Sequence, residues 1–157
     1  MINVSDLTSE SARNKAIFRV EASEKVEMLH IRDKADVILA RQRGRDIAQT
    51  IGFSLVDQTV IAYTISELAL KLISSPEKGH MIIRPISLLK GDPANGIEVR
   101  LFDHFRGPSR VHLQWMENLT NDMEITHDQL RGTMVTFRKW ILAPLHIKSP
   151  VCAAGEE

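Results

Sequence analysis

Hydrophobic positions between Ala35 and Ser75 recur at the helical repeat and divide this stretch into two amphipathic segments. The apolar face of the first segment is formed by Val37, Ala40, Gly44, Ile47, Ala48 and Ile51. The second has a broader apolar face, formed by Val60, Ile61, Thr64, Ile65, Leu68, Ala69, Leu72 and Ile73. The pattern therefore predicts two helices, the second packed on a sheet.

The residues around these segments are typical helix ends. Gly52 suits a left-handed C-cap, because it has no Cβ. Ser54, with Asp57 three residues later, suits an N-cap that accepts hydrogen bonds from free N–H groups. Pro76 and Gly79 are expected to end the second helix.

Short alternating runs predict strands on both sides of the helix pair. The runs are Ala16–Val20 and Val26–Ile31, which could form a hairpin, then His80–Ile86, the alternation of Ile97, Val99 and Leu101, and Gly132–Leu142. A further short helix is predicted from the face formed by Val111, Trp115, Met116, Leu119 and Met123. The order predicts an α/β sandwich with one mixed, mainly antiparallel sheet and helices on one face.

The length of 157 residues suits one domain, which we place at residues 16–145, between a mobile polar terminus (1–15) and a mobile tail (146–157). The 20 basic and 20 acidic residues cancel, which argues against a nucleic-acid binder. No apolar run approaches the roughly 18–20 residues of a membrane span, and the N-terminal stretch has no secretory signal pattern. Cys152 is the only cysteine, and the six histidines lack zinc-ligand spacing. We therefore expect a cytoplasmic protein with no metal site.

The stretch DVILARQRGRDIAQTIGFSLVDQTVIAYTISELALKLISS resembles the helical core of the RsbT-type anti-sigma-factor serine/threonine kinases, relatives of SpoIIAB and RsbW in the GHKL ATPase superfamily. The elements ARQ-GR, IGF, VDQ and ISELA stand in the family's order and spacing. The resemblance continues to RGTMVTFRKW at Arg131–Trp140, so it covers most of the chain from about Val26 onward. It implies the GHKL (Bergerat) ATPase-like fold.

The resemblance also implies an ATP cleft between helices and sheet. Glu67 matches the family's general base, Asp103 the aspartate that recognises adenine, and Thr133 the threonine that helps to hold the base. Gly107 lies in the loop whose glycines approach the nucleotide. From the residues alone, a solvated or paired helix carboxylate is the favoured interpretation of Glu67, and Asp103 could simply begin a turn.

The chain departs from the family at the phosphate end of this cleft. Lys71 stands one turn after Glu67, where the family has a Mg²⁺-binding asparagine, and an ammonium cannot ligate Mg²⁺. Lys71 could instead pair with Glu67 at i,i+4, or bind phosphate directly. The loop His104–Ser109 is longer and bulkier than the family's glycine loop, and the lid with its second glycine box is missing after Ser109.

Three functions follow from this comparison. The preferred one is a degenerate switch protein, a pseudokinase of a partner-switching stress-response pathway, that binds a STAS-domain antagonist, a sigma factor or a regulatory phosphatase and has weakened or lost ATP binding. The alternative is an active kinase that phosphorylates a STAS-domain antagonist with Glu67 as base. The third is a structural or homodimeric module whose cleft is filled by Phe102, Phe105 and Lys71. The exposed face of Arg41, Arg43 and Arg45 is either solvated or a docking surface for an acidic partner.

Overall fold

The structure is a computed structural model that describes residues 21–22, 26–108 and 122–142. Two helices pack on one face of an antiparallel sheet, as the sequence predicts. The strands are β1 (Glu21–Ala22), β2 (Glu27–Ile31), β3 (Gly79–Ser87), β4 (Gly96–Asp103), β5 (Asp122–Asp128) and β6 (Gly132–Trp140). The helices are α1 (Lys34–Ile51) and α2 (Leu55–Ser74). Residues 1–20 and 143–157, which include both predicted tails and the predicted strand Ala16–Val20, lie outside the described residues.

The predicted C-cap of α1 at Gly52 and the predicted N-cap of α2 at Ser54 are confirmed, and the N-cap of α1 was not predicted. Asp33 caps α1 by accepting hydrogen bonds from Ala35 and Asp36 N–H groups, and Gly52 ends it at a φ of 102°. Ser54 caps α2, since its Oγ accepts a hydrogen bond of 3.1 Å from Asp57 N–H. These caps satisfy backbone groups that have no partner within the helix.

The strand order is β1–β3–β4–β6–β5, and β2 also pairs with β3. All pairings of the described strands are antiparallel. The hairpin predicted for Ala16–Val20 and Val26–Ile31 stays a prediction, because Ala16–Val20 lies outside the described residues. Glu21–Ala22 lies opposite Ile86–Ser87 and Glu27–Ile31 lies opposite Gly79–Ile83, so β1 and β2 follow one another along the same edge of β3.

The core lies between the helices and the inner face of the sheet. Ile61, Ile65, Leu68 and Leu72 of α2 are fully buried, and they face apolar residues of the three central strands. Those strand residues are Met81, Ile83, Ile97, Val99, Leu101, Val135 and Phe137. Because these side chains come from every central element, their burial holds the two layers together.

Strand β5 corrects the sequence-based prediction. Met123 was expected on a helix with Leu119, but it lies in β5 opposite Phe137 of β6. Most of β5 is exposed, and only Met123 and Ile125 are apolar on it, so it lacks the hydrophobic alternation that predicts a strand. The remainder of the predicted helix, Val111–Leu119, lies outside the described residues.

The outer face of the sheet carries a charged network centred on Glu98 of β4, which is 1% exposed. Arg84 donates to Glu98 Oε1 at 2.7 Å, and Arg138 donates to Oε2 at 2.7 Å. Arg100 Nε lies 2.9 Å from Oε1, and Arg138 also donates to Asp122. The cross-strand register brings these groups together, since Arg84, Glu98, Arg138 and Asp122 form one row of partners. The arginines counteract the cost of burying the carboxylate.

Candidate functional site

A cavity of about 340 Å³ opens beside the C-terminal half of α2, at the end of the sheet where β4 finishes and β6 begins. This volume is near the lower limit of the roughly 300–1,000 Å³ found for small-molecule pockets. Its walls contain four of the five predicted site residues. The lining residues are Glu67, Leu70, Lys71, Ser74, Ser75, Pro76, Asp103, Phe105, Pro108 and Thr133.

Two elements supply the predicted residues. Glu67 and Lys71 lie one helical turn apart on α2, so both reach the same wall. Asp103 is the last residue of β4, and it lies directly opposite Thr133 of β6. The end of a helix and the ends of two paired strands therefore bring together residues that are 66 positions apart in the chain.

The carboxylate of Asp103 is held in a fixed orientation. Ser75 Oγ donates to Asp103 Oδ1 at 2.6 Å, and Phe105 N–H donates to the same oxygen at 3.0 Å. Among the described residues, Oδ2 accepts no hydrogen bond from another side chain, so it remains available as an acceptor. Sequence reasoning missed Ser75, because a serine after a helix end gives no signal of this long-range contact.

Thr133 also has a partner that the sequence did not indicate. His127 Nδ1 lies 2.9 Å from Thr133 Oγ1, and the two residues are cross-strand partners on β5 and β6. The tautomer of His127 decides which group donates. No strand was predicted at β5, and only its register with β6 places His127 beside the site.

Gly107 is the fifth predicted residue, and it lies between the lining residues Phe105 and Pro108 without lining the cavity itself. A Cβ at Gly107 would collide with the ring of Phe105. Phe105 therefore packs on the glycine backbone at the rim of the cavity. Phe102, which the third function placed in the cleft, points elsewhere: its ring stacks on His80 at 4.6 Å.

The pairing predicted between Glu67 and Lys71 is absent from the described residues, where neither side chain forms an ion pair or hydrogen bond. An exposed i,i+4 pair contributes only about 0.2–0.5 kcal/mol, which is too little to hold two flexible side chains together. A carboxylate and an ammonium thus line the same cavity, both able to meet a ligand.

The ammonium of Lys71 shares the cavity wall with Glu67, whose carboxylate oxygens are of the kind that ligate Mg²⁺. This ion takes oxygen ligands in near-octahedral geometry, whereas Lys71 places a positive charge beside Glu67. In the described part of the chain, no three histidine, cysteine or acidic side chains are arranged to hold a metal ion.

A second cavity, of about 490 Å³, lies on the other side of the turn between α2 and β3 and includes His30 and His104. His80 Nδ1 lies 3.2 Å from His104 Nε2, and the rings of His30 and His80 are 6.0 Å apart. Burial lowers the pKa of His80, and its electrostatic interactions with His104 and His30 lower it further. These histidines are far apart in the sequence, and the pairing of strands β2, β3 and β4 brings them together.

Comparison with known proteins identifies a relative of known function. The chain is 37% identical over 119 residues to the serine/threonine-protein kinase RsbT of Bacillus subtilis (strain 168), and the match covers 68% of this chain and 90% of that protein. No family model matches the chain. Within the described residues, neither helix is long and apolar enough to cross a membrane.

Proposed function

Since the chain belongs to the RsbT-type family of anti-sigma-factor serine/threonine kinases, whose members are kinase-like proteins of partner switching, we propose that it acts mainly by binding regulatory proteins. In this proposal its nucleotide binding is weakened or lost, and it phosphorylates its partner poorly or not at all. Its partners are a STAS-domain antagonist, a sigma factor or a regulatory phosphatase.

The observation that carries this proposal is the position of Lys71 in the cavity wall beside Glu67. Phosphoryl transfer depends on positioning and on stabilising the charge of the transferred group, and bound Mg²⁺ supplies much of that stabilisation. An ammonium at contact distance would repel the ion. The chain therefore retains Glu67, a carboxylate suited to a general base. Lys71 beside it would repel the Mg²⁺ that phosphoryl transfer uses.

The size of the cavity supports the same proposal. A cavity of about 340 Å³ has room for a base-sized ligand more readily than for a whole nucleoside triphosphate.

Titration of the purified chain against STAS-domain and phosphatase proteins encoded near its gene tests the proposal, with and without ATP and Mg²⁺. We expect binding to at least one of them, with the same affinity in both conditions. Failure to bind any of them would refute the proposal.

The alternative is an active kinase, and one observation favours it. Among the described residues Glu67 has no cationic partner, so its carboxylate is free to accept a proton from a serine hydroxyl. Lys71 would then contact phosphate directly as a point charge. A radiolabel transfer assay with a STAS-domain substrate decides between the two, with Glu67→Gln as the control that removes the base.

A further inference from the structure

The side chain of Thr133 lies between the candidate cavity and a histidine. It lines the cavity, and its Oγ1 is 2.9 Å from Nδ1 of His127 on the neighbouring strand β5. Thr133 is 4% exposed, whereas His127 is exposed on the edge strand. A buried hydroxyl group at the cavity is therefore hydrogen-bonded to an imidazole that solvent protons can reach.

The proton on His127 decides how this hydroxyl group meets a ligand. A threonine hydroxyl group has one proton to donate and an oxygen that accepts. When His127 Nδ1 has no proton, it accepts the hydrogen bond from Thr133, and the Thr133 oxygen faces the cavity as an acceptor. When His127 is protonated, both of its ring nitrogens are donors, so Nδ1 donates to Thr133 Oγ1. The Thr133 proton is then free to be donated to a ligand.

Asp103 supplies a fixed acceptor beside this variable group. It lies directly opposite Thr133 in the register of β4 and β6. Ser75 and Phe105 donate to its Oδ1, which leaves Oδ2 as an acceptor in the described part of the chain. The two residues therefore present two acceptors while His127 Nδ1 has no proton, and one acceptor beside one donor once it is protonated.

The cavity around this pair suits a planar heterocycle. Its volume of about 340 Å³ has room for a base-sized ligand, and the ring of Phe105 forms part of its wall. The charged groups on the other elements around the pair are Glu67 and Lys71 of α2 and, at the turn between β5 and β6, Asp128 and Arg131. Among the described residues none of these four hydrogen-bonds the imidazole or the threonine hydroxyl group, so the histidine proton sets the direction of that bond.

We propose that His127 is a positioning residue that sets, through Thr133, which planar heterocycle the cavity binds. Two acceptors select an edge with two neighbouring donors, such as the ring N–H and the amino group of guanine. An acceptor beside a donor selects an edge such as the amino group and the adjacent ring nitrogen of adenine. Because histidine changes its charge between about pH 5 and 8, this preference follows the pH. The inference goes beyond the proposed function, since it concerns a small ligand and not a protein partner.

Binding of guanosine and adenosine to the full chain, measured by NMR titration at about pH 8 and about pH 5, tests this preference. We expect guanosine to bind more tightly at the higher pH, with shifts at the amide signals of Thr133 and Phe105. The ratio of guanosine to adenosine affinity should fall about tenfold or more at the lower pH, because the mismatched base leaves a buried polar group unpaired. The same ratio at both pH values, or binding of neither nucleoside, would overturn the inference.

Matched variants assign the effect to the histidine and its partner. Thr133→Val keeps the shape of the side chain and removes the hydroxyl group, so the ratio should no longer depend on pH. His127→Ala should have the same effect, and its result stands if Thr133→Val impairs folding, because His127 is exposed. His30→Ala, a change of another exposed histidine on strand β2, should leave the pH dependence intact. A pH-dependent ratio that survives His127→Ala would contradict the role of His127.

The nitrogen NMR shifts of the His127 ring show its protonation directly. At about pH 8 we expect a proton on Nε2 and none on Nδ1. A proton on Nδ1 at that pH would overturn the inference, because Thr133 would then be a donor to the cavity at every pH.

These results are separate from the test of the proposed function. A chain whose nucleoside preference follows the pH, but which binds no STAS-domain or phosphatase protein, has this specificity without the proposed function. A chain that binds such a protein but shows no pH-dependent preference has the proposed function without this specificity.

Discussion

Replacing Glu98 with glutamine should destabilise the fold, because it removes the one charge on which three arginines converge. Removing one partner of a buried ion pair costs about 3–5 kcal/mol. The side chains of Arg84, Arg100 and Arg138 remain 19%, 36% and 20% exposed, so water screens them in part. We therefore expect a loss of about 3 kcal/mol in the free energy of unfolding. For a chain of this length that corresponds to a decrease in Tm of about 6–12 °C.

The effect should depend on pH in a defined direction. Burial raises the pKa of Glu98, but Arg100, Arg84 and Arg138 outweigh burial and hold this pKa below 4.5. A carboxylate whose pKa is lower in the folded state stabilises the fold above its unfolded pKa, and the contribution is lost as the pH falls through the folded pKa. The difference in the free energy of unfolding between the wild type and Glu98→Gln should therefore be largest above pH 4.5 and decrease below it.

Urea denaturation at a series of pH values measures this difference, with Glu124→Gln on the exposed edge strand as the matched control. The control should lie within about 0.5 kcal/mol of the wild type at every pH. A loss below about 1 kcal/mol for Glu98→Gln at pH 7, or a loss that is independent of pH, would refute the view that the network is ionised and buried.

Three further changes test the site and its surroundings. Ser75→Ala should lower stability by about 1 kcal/mol and loosen Asp103, detected as faster amide exchange at Phe105. Gly132→Ala should cost more than about 1 kcal/mol in thermal unfolding, because the φ of 93° favours glycine and the new Cβ would meet the backbone of Asp103. An NMR titration should show a pKa for His80 below 6.5. Because the unfolded chain then binds a proton at His80 more readily than the folded chain does, the free energy of unfolding should decrease as the pH falls from 6.5 towards that pKa. His80→Gln should make this decrease smaller.

Each of these results has a clear contrary outcome. Unchanged exchange at Phe105 would show that Ser75 does not position the loop, and Ser75→Thr, which keeps the hydroxyl, serves as its control. A Gly132→Ala protein as stable as the wild type would mean that this turn adopts another conformation. A pKa of His80 at or above 6.5 would contradict its burial beside His104 and His30.

Periodicity predicted the parts of the fold that bury a continuous apolar face. The helices around Gly44 and Ile65, and the central strands with Ile83 and Val99, have that pattern and are confirmed. Strand β5 was missed because an edge strand exposed on most of its length needs few apolar residues. Strand β1 falls in the stretch predicted to separate two strands, since its two residues are too few to give an alternating pattern.

The candidate site, too, was predicted only in part. The family resemblance selected Glu67, Lys71, Asp103 and Thr133, and the structure brings all four to one cavity, although their roles remain predictions. The supporting contacts could not be predicted, since Ser75 and His127 reach the site through tertiary packing and strand register. The ion pair predicted for Glu67 and Lys71 failed because spacing on a helix permits a contact without making it favourable.

The central claim is that Lys71 prevents the chain from binding ATP with Mg²⁺ as an active kinase would. Calorimetric titration of ATP into the wild type and Lys71→Asn, each with and without Mg²⁺, measures this directly. We expect no Mg²⁺-dependent binding to the wild type and a gain in Lys71→Asn, because an amide oxygen then replaces the ammonium. Tight, Mg²⁺-dependent ATP binding by the wild type would contradict the account.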